Sequence, residues 1–166
     1  MVTGSVVSSL QGEPRSTHDI DVVISLCSEC SPRLIQQFPA PDFYLDENAV
    51  SDAVARKSMF NLLDVNGGDK VDFWMLTGEQ YDLARWARRV CENILGEDVM
   101  VSAPEDTILA KLNWARMCGG SEKQFTDALR VYEVQLGKLD LDYLHDWAKK
   151  LGVEDLLERL ESQATA

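Results

Sequence analysis

The sequence predicts an α+β fold in which a mixed β-sheet comes first and a helical lobe follows. Short apolar runs separated by turn signals occupy the first hundred residues, and they are typical of strands. From residue 103 onward the apolar residues recur at helical spacing, with breaks at Gly119-Gly120 and Gly152. We therefore expect an α/β core at 1–102 and a helical lobe at 103–166, packed together as one compact unit.

The elements of the core follow from local signals. Asn66-Gly67-Gly68 between two apolar runs indicates a β-hairpin, and Ser31-Pro32 is typical of a helix start. Residues 38–43 contain two prolines and are expected to form a loop. The expected strands lie at 1–4, 19–26, 59–76 (the hairpin), 90–95 and 99–101, and the expected helices at 5–10, 32–38, 46–57 and 77–89.

Composition and charge limit the classes of function. The 166 residues carry a net charge of −12, which disfavours a long nucleic-acid partner, although tRNA is not excluded. The acidity slightly favours a cationic acceptor. No apolar stretch of about 18 residues predicts a membrane span, and the N-terminus lacks the pattern of a signal peptide, so we expect a cytoplasmic protein. The only histidines, His18 and His145, lie far apart, which gives little support to a Ser-His-Asp hydrolase.

Two carboxylates in an apolar run provide the strongest functional signal. Asp19 and Asp21 stand on either side of Ile20, and the apolar run continues after them through Val22, Val23 and Ile24. Side chains alternate along a strand, so both carboxylates lie on one face and repel each other. A divalent cation relieves such repulsion, and the hard oxygen ligands suit Mg²⁺.

A third carboxylate is expected to join this pair. Asp72 lies in the second strand of the predicted hairpin and shares a face with Trp74 and Leu76. If this strand pairs with the strand of Asp19 and Asp21, the three carboxylates converge. Such a set can hold a two-metal centre for phosphoryl transfer.

Upstream residues suggest a phosphate site. Gly4 and Ser5 precede a short predicted helix, whose N-terminal N–H groups and dipole favour phosphate oxygens. Gly4 permits close backbone approach, and the Ser5 hydroxyl can donate a hydrogen bond. Arg15 could pair with a phosphate, and Thr17 could orient Asp19 or the nucleotide. For each of these residues an ordinary turn or surface role is the alternative.

Taken together, these motifs resemble the nucleotidyltransferase fold superfamily, the polymerase-β-like enzymes. Within it, the chain is similar to a small bacterial branch related to minimal nucleotidyltransferases and abortive-infection-type toxins. The resemblance covers nearly the whole chain. It is carried by Gly4-Ser5, by Gly12-Glu-Pro-Arg-Ser-Thr-His-Asp-Ile-Asp21, by Asp72, by Ala103-Pro-Glu-Asp-Thr-Ile-Leu-Ala-Lys-Leu112 and by Gly120-Ser-Glu-Lys-Gln124 with Asp127.

The resemblance implies a Mg²⁺-dependent transfer of a nucleoside monophosphate, AMP from ATP being the expected case, to an acceptor hydroxyl. It assigns Asp19, Asp21 and Asp72 as catalytic metal ligands for two Mg²⁺ ions, and Lys111 as a residue that reaches back to the nucleotide. Glu105 and Asp106 would cap a helix. Relatives usually carry a helix and the start of the first strand before the motif, so Met1 is expected to be an internal methionine.

Alternatives to this enzyme remain open at this stage. A chain of this fold could bind a nucleotide without turnover, or act with an antitoxin partner or as a homodimer. The acceptor could be a small molecule or a protein. Cys27 and Cys30 form a single C-x-x-C, which is weak support for a zinc or redox site, and partly buried reduced thiols are the alternative.

Overall fold

A computed structural model describes residues 1–165, which form one seven-stranded mixed sheet and eight helices. The sheet order is β3-β4-β5-β2-β1-β7-β6. β2 runs parallel to β5 and β1 runs parallel to β7, whereas the other neighbours are antiparallel. The strands are β1 (Val2–Thr3), β2 (Asp19–Ile24), β3 (Phe43–Leu45), β4 (Met59–Asp64), β5 (Lys70–Met75), β6 (Val90–Ile94) and β7 (Glu97–Val101).

The helices divide between the sheet region and the C-terminal part. Four lie among the strands in sequence, and four follow the last strand. The helices are α1 (Gly4–Gln11), α2 (Ser31–Gln37), α3 (Glu47–Arg56), α4 (Gln80–Ala87), α5 (Pro104–Met117), α6 (Glu122–Gln135), α7 (Leu141–Leu151) and α8 (Glu154–Gln163).

One apolar cluster joins α3 to the sheet. Val50, Ala53 and Val54 recur at helical spacing and are buried against Phe60 of β4 and Met75 of β5. Asp46 begins α3, and its carboxylate accepts from the backbone N–H groups of residues 48 and 49. This packing covers one face of the sheet.

A larger apolar cluster unites the four C-terminal helices. Ile108, Leu112, Val131, Leu144 and Leu157 are almost completely buried in it. Helix α5 packs against both α6 and α7, and α1 contacts α5 and α6. Helices α5 and α6 therefore both connect the start of the chain to the helical lobe.

Glu105 and Asp106, which the sequence suggested as capping residues, belong instead to a buried polar network. Arg88 forms an ion pair with Glu105 at 3.0 Å, and Tyr143 donates to Asp106 at 2.8 Å. Burial raises the pKa of Asp106 to about 6, although the hydrogen bond from Tyr143 and the charge of Arg88 oppose the rise. The side chains of Glu105 and Asp106 lie at the start of α5 and are buried against the lobe rather than exposed to solvent. The local sequence pattern does not reveal this burial.

The α+β fold is confirmed, and the differences from expectation are local. Residues 43–45 form β3, where the prolines of the preceding loop had obscured a short strand. Helix α4 begins at Gln80 rather than at residue 77, because the Asp82 carboxylate accepts from the N–H and hydroxyl of Thr77 and holds a turn there. The division into a core at 1–102 and a lobe at 103–166 stays a prediction.

Two further expectations concern the surface. Within residues 1–165, no helix combines the length and the apolar character needed to cross a membrane. Cys27 and Cys30 are free and exposed, so the expectation of partly buried thiols was wrong. Their loop precedes α2 and lies outside both apolar clusters.

Candidate functional site

The register of the sheet places the predicted carboxylates on one face. Asp21 of β2 lies beside Asp72 of β5, and Asn61 of β4 lies beside Asp72 on its other side. Paired residues in neighbouring strands point to the same face, so these side chains form a polar row across the sheet. Asn61 Nδ2 donates to Asp72 Oδ1 at 2.7 Å. This bond fixes one oxygen of the Asp72 carboxylate.

A second row runs parallel to the first. Asp19 lies beside Lys70, and Lys70 lies beside Leu63. Lys70 Nζ lies 3.0 Å from Asp72 Oδ2 and 3.7 Å from Asp19 Oδ1. The hydrogen bond to Asp72 is the main reason that the pKa of Lys70 is raised. A single ammonium group therefore bridges two of the three predicted carboxylates.

Asp21 lies between the indole of Trp74 and the start of α1. Trp74 Nε1 donates to Asp21 Oδ1 at 3.1 Å. Burial raises the pKa of Asp21, the hydrogen bond from Trp74 opposes this, and the charge of Asp72 adds to the rise. Gly4 has a φ of +68°, and a Cβ there would lie 2.0 Å from Asp21 Oδ2. Only glycine at position 4 allows the start of α1 to approach this carboxylate so closely.

Ser5 is the centre of a second polar cluster. Arg15 Nη2 and Lys111 Nζ both lie within hydrogen-bonding distance of Ser5 Oγ, at 2.9 and 3.2 Å. Asp127 binds both cations: Arg15 Nε and Nη2 reach its two oxygens at 3.0 and 2.7 Å, and Lys111 Nζ lies 2.8 Å away. Two cations thus face one carboxylate beside the Ser5 hydroxyl.

The pKa values in this cluster show which contacts dominate. Burial lowers the pKa of Lys111, although its bond to Asp127 opposes this. For Asp127, burial acts upward, but the hydrogen bonds and charges of Arg15 and Lys111 outweigh it and hold the pKa below its ordinary value. Asp127 is therefore ionised at neutral pH, and the cluster carries a net positive charge.

A cavity of about 660 Å³ opens between the sheet and helices α4, α5 and α6. Its volume is in the range of small-molecule sites. Trp74 and Trp114 contribute an aromatic wall, with ring centroids 6.1 Å apart in an edge-on arrangement. Gln124 also lines the cavity, and its Oε1 is buried without a hydrogen-bond partner among residues 1–165. The cavity thus offers an apolar surface, and Gln124 lies at its edge with a buried oxygen that lacks a partner among the described residues.

The predicted site residues divide between this cavity and its surroundings. Gly4, Ser5, Asp21 and Lys111 line the cavity. Arg15 reaches it through Ser5. The remaining three do not line it: Asp72 lies next to Asp21 in the sheet, Asp19 lies at the exposed start of β2, and the Thr17 hydroxyl lies 3.4 Å from the carbonyl oxygen of Asp19.

The residue types suit a hard cation, but their placement is incomplete for one. The side chains of Asp19, Asp21 and Asp72 offer carboxylate oxygens, which Mg²⁺ prefers, on one face of the sheet. Within residues 1–165, no three His, Cys, Asp or Glu residues are grouped closely enough to hold a metal ion. Lys70 pairs with two of these carboxylates, Asp19 and Asp72. The metal set stays a prediction that requires Lys70 to move.

Two residues of the site, Asp127 and Lys70, were not singled out as functional from the sequence. Asp127 lies 112 residues after Arg15 in the chain, so only the fold reveals that they pair. Lys70 could have been suspected, because it stands two positions before Asp72 on the same strand face. Trp74 was predicted to share that face, but its bond to Asp21 depends on the parallel pairing of β2 and β5.

Comparison with known proteins supports the fold alone. No model of a known protein family matches the chain, and no curated protein matches it. The structure is similar to the crystal structure of an antigenic nucleotidyltransferase-like protein from Paracoccidioides brasiliensis, with a TM-score of 0.52. The two share 20% sequence identity, and the match covers 99% of this chain and 85% of that chain. The fold is therefore nucleotidyltransferase-like.

Proposed function

We propose that this protein is a Mg²⁺-dependent nucleotidyltransferase that moves AMP from ATP to an acceptor hydroxyl and releases pyrophosphate. The observation that carries the proposal is the polar row formed by Asp21 and Asp72, which lies next to the positively charged cluster around Ser5. Asp21, which would hold a cation, and Ser5 and Lys111, which would donate to phosphates, line the same ligand-sized cavity, and Asp72 lies beside Asp21 in the sheet.

The Ser5 cluster would hold the phosphate groups. Ser5 Oγ accepts from both Arg15 and Lys111, so its two lone pairs are occupied and its own hydrogen is free to donate. The excess positive charge of the two cations over Asp127 attracts phosphate oxygens. Asp127 keeps both cations in place, which limits the reorganisation needed when the nucleotide binds.

The nucleobase would occupy the cavity beyond the phosphates. Trp74 and Trp114 present an apolar wall against which a planar base can pack. Gln124 lines the same cavity, and a rotation of its side chain would bring Oε1, which has no partner among residues 1–165, to the exocyclic amine of adenine. This is the reason for proposing an adenine nucleotide, whereas the acceptor could be a small molecule or a protein side chain.

In the reaction, the acceptor oxygen would form a bond to the α-phosphorus as the bond between that phosphorus and the bridging oxygen to the β-phosphate breaks. Pyrophosphate leaves with the bonding electron pair. The hydroxyl proton would pass to the Asp72 carboxylate, which is held by Asn61. Trp74 would hold Asp21 in position through its indole N–H. Mg²⁺ at Asp19, Asp21 and Asp72 would supply positive charge for the phosphate oxygens.

A second candidate is nucleotide binding without turnover, as in a sensor or one half of a toxin–antitoxin pair. The bridge from Lys70 to Asp19 and Asp72 favours it, because two of the three proposed metal ligands are already paired with an ammonium group. In that case the Ser5 cluster would still bind phosphates, but no product would form.

A transfer assay separates the two candidates. The protein is incubated with Mg²⁺ and ATP labelled at the α-phosphate, together with either the small-molecule or the protein fraction of a cell extract. We expect label on an acceptor from one fraction and an equal amount of pyrophosphate. The Asp21→Asn variant should form neither product, and Glu158→Gln, which removes an exposed carboxylate from α8, should match the wild type.

Label that stays on ATP in both fractions, together with measurable ATP binding, would favour the non-catalytic candidate. Product formation by Asp21→Asn at the wild-type rate would remove the proposed role of this carboxylate. Absence of ATP binding altogether would contradict both candidates.

A further inference from the structure

Lys70 is the charged group of the carboxylate face that the proposed reaction does not use. Its ammonium bridges Asp72 at 3.0 Å and Asp19 at 3.7 Å. The Asp72 side chain is 12% exposed, whereas that of Lys70 is 34% exposed. One partner of this ion pair is thus fixed in the sheet, and the other is partly free to move.

The bridge is incompatible with a metal ion on the same oxygens. Mg²⁺ binds carboxylate oxygens at about 2.0–2.1 Å and demands near-octahedral geometry. An ammonium group on Asp72 Oδ2 would then lie within a few ångströms of a dication, and the two positive charges would repel each other. Binding of the ion therefore requires the ammonium to leave.

A place for the displaced side chain lies next to it. A groove of about 320 Å³ is lined by Lys70 itself and by Tyr44, Asp46 and Asn61, among others. Tyr44 is exposed, and Asp46 provides a carboxylate at the start of α3. The lysine stem has four flexible carbons and can turn from the carboxylate pair into this groove.

From these contacts we infer that Lys70 is a built-in competitor of the divalent cation at Asp19 and Asp72. The ammonium offsets one of the two negative charges of these carboxylates in the metal-free protein, and it turns into the groove beside Tyr44 when the metal binds. This inference rests on the proposed metal site. It makes metal affinity a property that Lys70 sets, in addition to the carboxylates themselves.

Calorimetric titration with Mn²⁺ alone, in the absence of nucleotide, tests the competition. Lys70→Gln should bind Mn²⁺ about tenfold more tightly than the wild type, because no ammonium has to be displaced. Lys70→Arg keeps a cation that can bind both carboxylates and should not bind more tightly than the wild type. Lys138→Gln removes the same charge from an exposed position after α6, and its affinity should stay at the wild-type value.

Thermal unfolding supplies a readout that a general loss of stability would not reproduce. Without metal, Lys70→Gln should unfold at a lower temperature than the wild type, since two carboxylates lose their counter-ion. With saturating Mn²⁺ its midpoint should rise by more than that of the wild type.

The outcomes distinguish the inference from the function on which it rests. Mn²⁺ binding by the wild type, with equal or weaker binding by Lys70→Gln, would overturn the competition and leave the metal site intact. Tighter binding by Lys138→Gln to the same extent would reduce the effect to net charge and would also overturn it. Absence of Mn²⁺ binding in every variant would remove the proposed metal site together with the inference.

Discussion

Replacement of Gly4 by alanine tests how closely the start of α1 approaches the carboxylate row. Gly4 has a φ of +68°, and an added Cβ would lie 2.0 Å from Asp21 Oδ2 and 2.9 Å from Asp21 Cβ. Gly152 has the same φ of +68°, but a Cβ there would have nothing within 4 Å. The pair of substitutions therefore separates backbone strain from the contact with Asp21.

The expected magnitudes follow from these two geometries. A left-handed conformation costs a residue with a side chain about 1–2 kcal/mol, so Gly152→Ala should destabilise by roughly that amount. In Gly4→Ala the Asp21 side chain must also move away from Trp74. Loss of a hydrogen bond to a charged group costs a further amount of about 1.5–3 kcal/mol. Gly4→Ala should therefore lose about 2.5–5 kcal/mol in total.

Urea unfolding measures the difference, and the indole N–H resonance of Trp74 reports the bond to Asp21. We expect Gly4→Ala to be less stable than Gly152→Ala by about 2 kcal/mol and to show a shifted Trp74 resonance. Equal destabilisation of the two variants, with an unchanged Trp74 resonance, would refute the close approach of Gly4 to Asp21.

Three further predictions concern individual carboxylates. Asp21→Asn should raise the unfolding midpoint of the metal-free protein at pH 7, because burial and the charge of Asp72 disfavour the ionised Asp21; differential scanning calorimetry checks this. Burial raises the pKa of Asp106 to about 6 in the folded protein, above its unfolded value. Ionisation of Asp106 should therefore cost about 3 kcal/mol of stability as the pH rises from about 4 to 6. Urea unfolding at several pH values should show that the free energy of unfolding depends less on pH in Asp106→Asn than in the wild type. Asp127→Asn should weaken ATP binding measured by calorimetry, since Arg15 loses the carboxylate that positions it beside the phosphate site.

Local patterns made the architecture predictable. The hairpin at 59–76 followed from a Gly-rich turn between apolar runs, and the helical lobe followed from its periodicity and glycine breaks. β3 was missed because a strand of three residues carries too little pattern to stand out after two prolines. Helix α2 was expected to begin at residue 32, after Ser31, and it begins at Ser31 instead.

The site was predictable only as far as its residues lie close together in sequence. Asp19 and Asp21 share a face by alternation, but the pairing with Asp72 depends on the parallel alignment of β2 and β5. The partners of Arg15 and Lys111 could not be deduced, since both bind Asp127 from distant parts of the chain. Alternation predicts side-chain direction within a strand, whereas ion pairs between elements require the tertiary fold.

Thermal unfolding with and without Mg²⁺ and ATP, for the wild type and for Asp21→Asn, tests the central claim most directly. Ligand at about 100 times its dissociation constant should stabilise the wild type by about 2.7 kcal/mol, which corresponds to about 5–10 °C for a domain of this size. Asp21→Asn should unfold at a higher temperature than the wild type without ligand and should lose the response to Mg²⁺ and ATP. A wild-type midpoint that does not move with Mg²⁺ and ATP would contradict a metal–nucleotide site on these carboxylates.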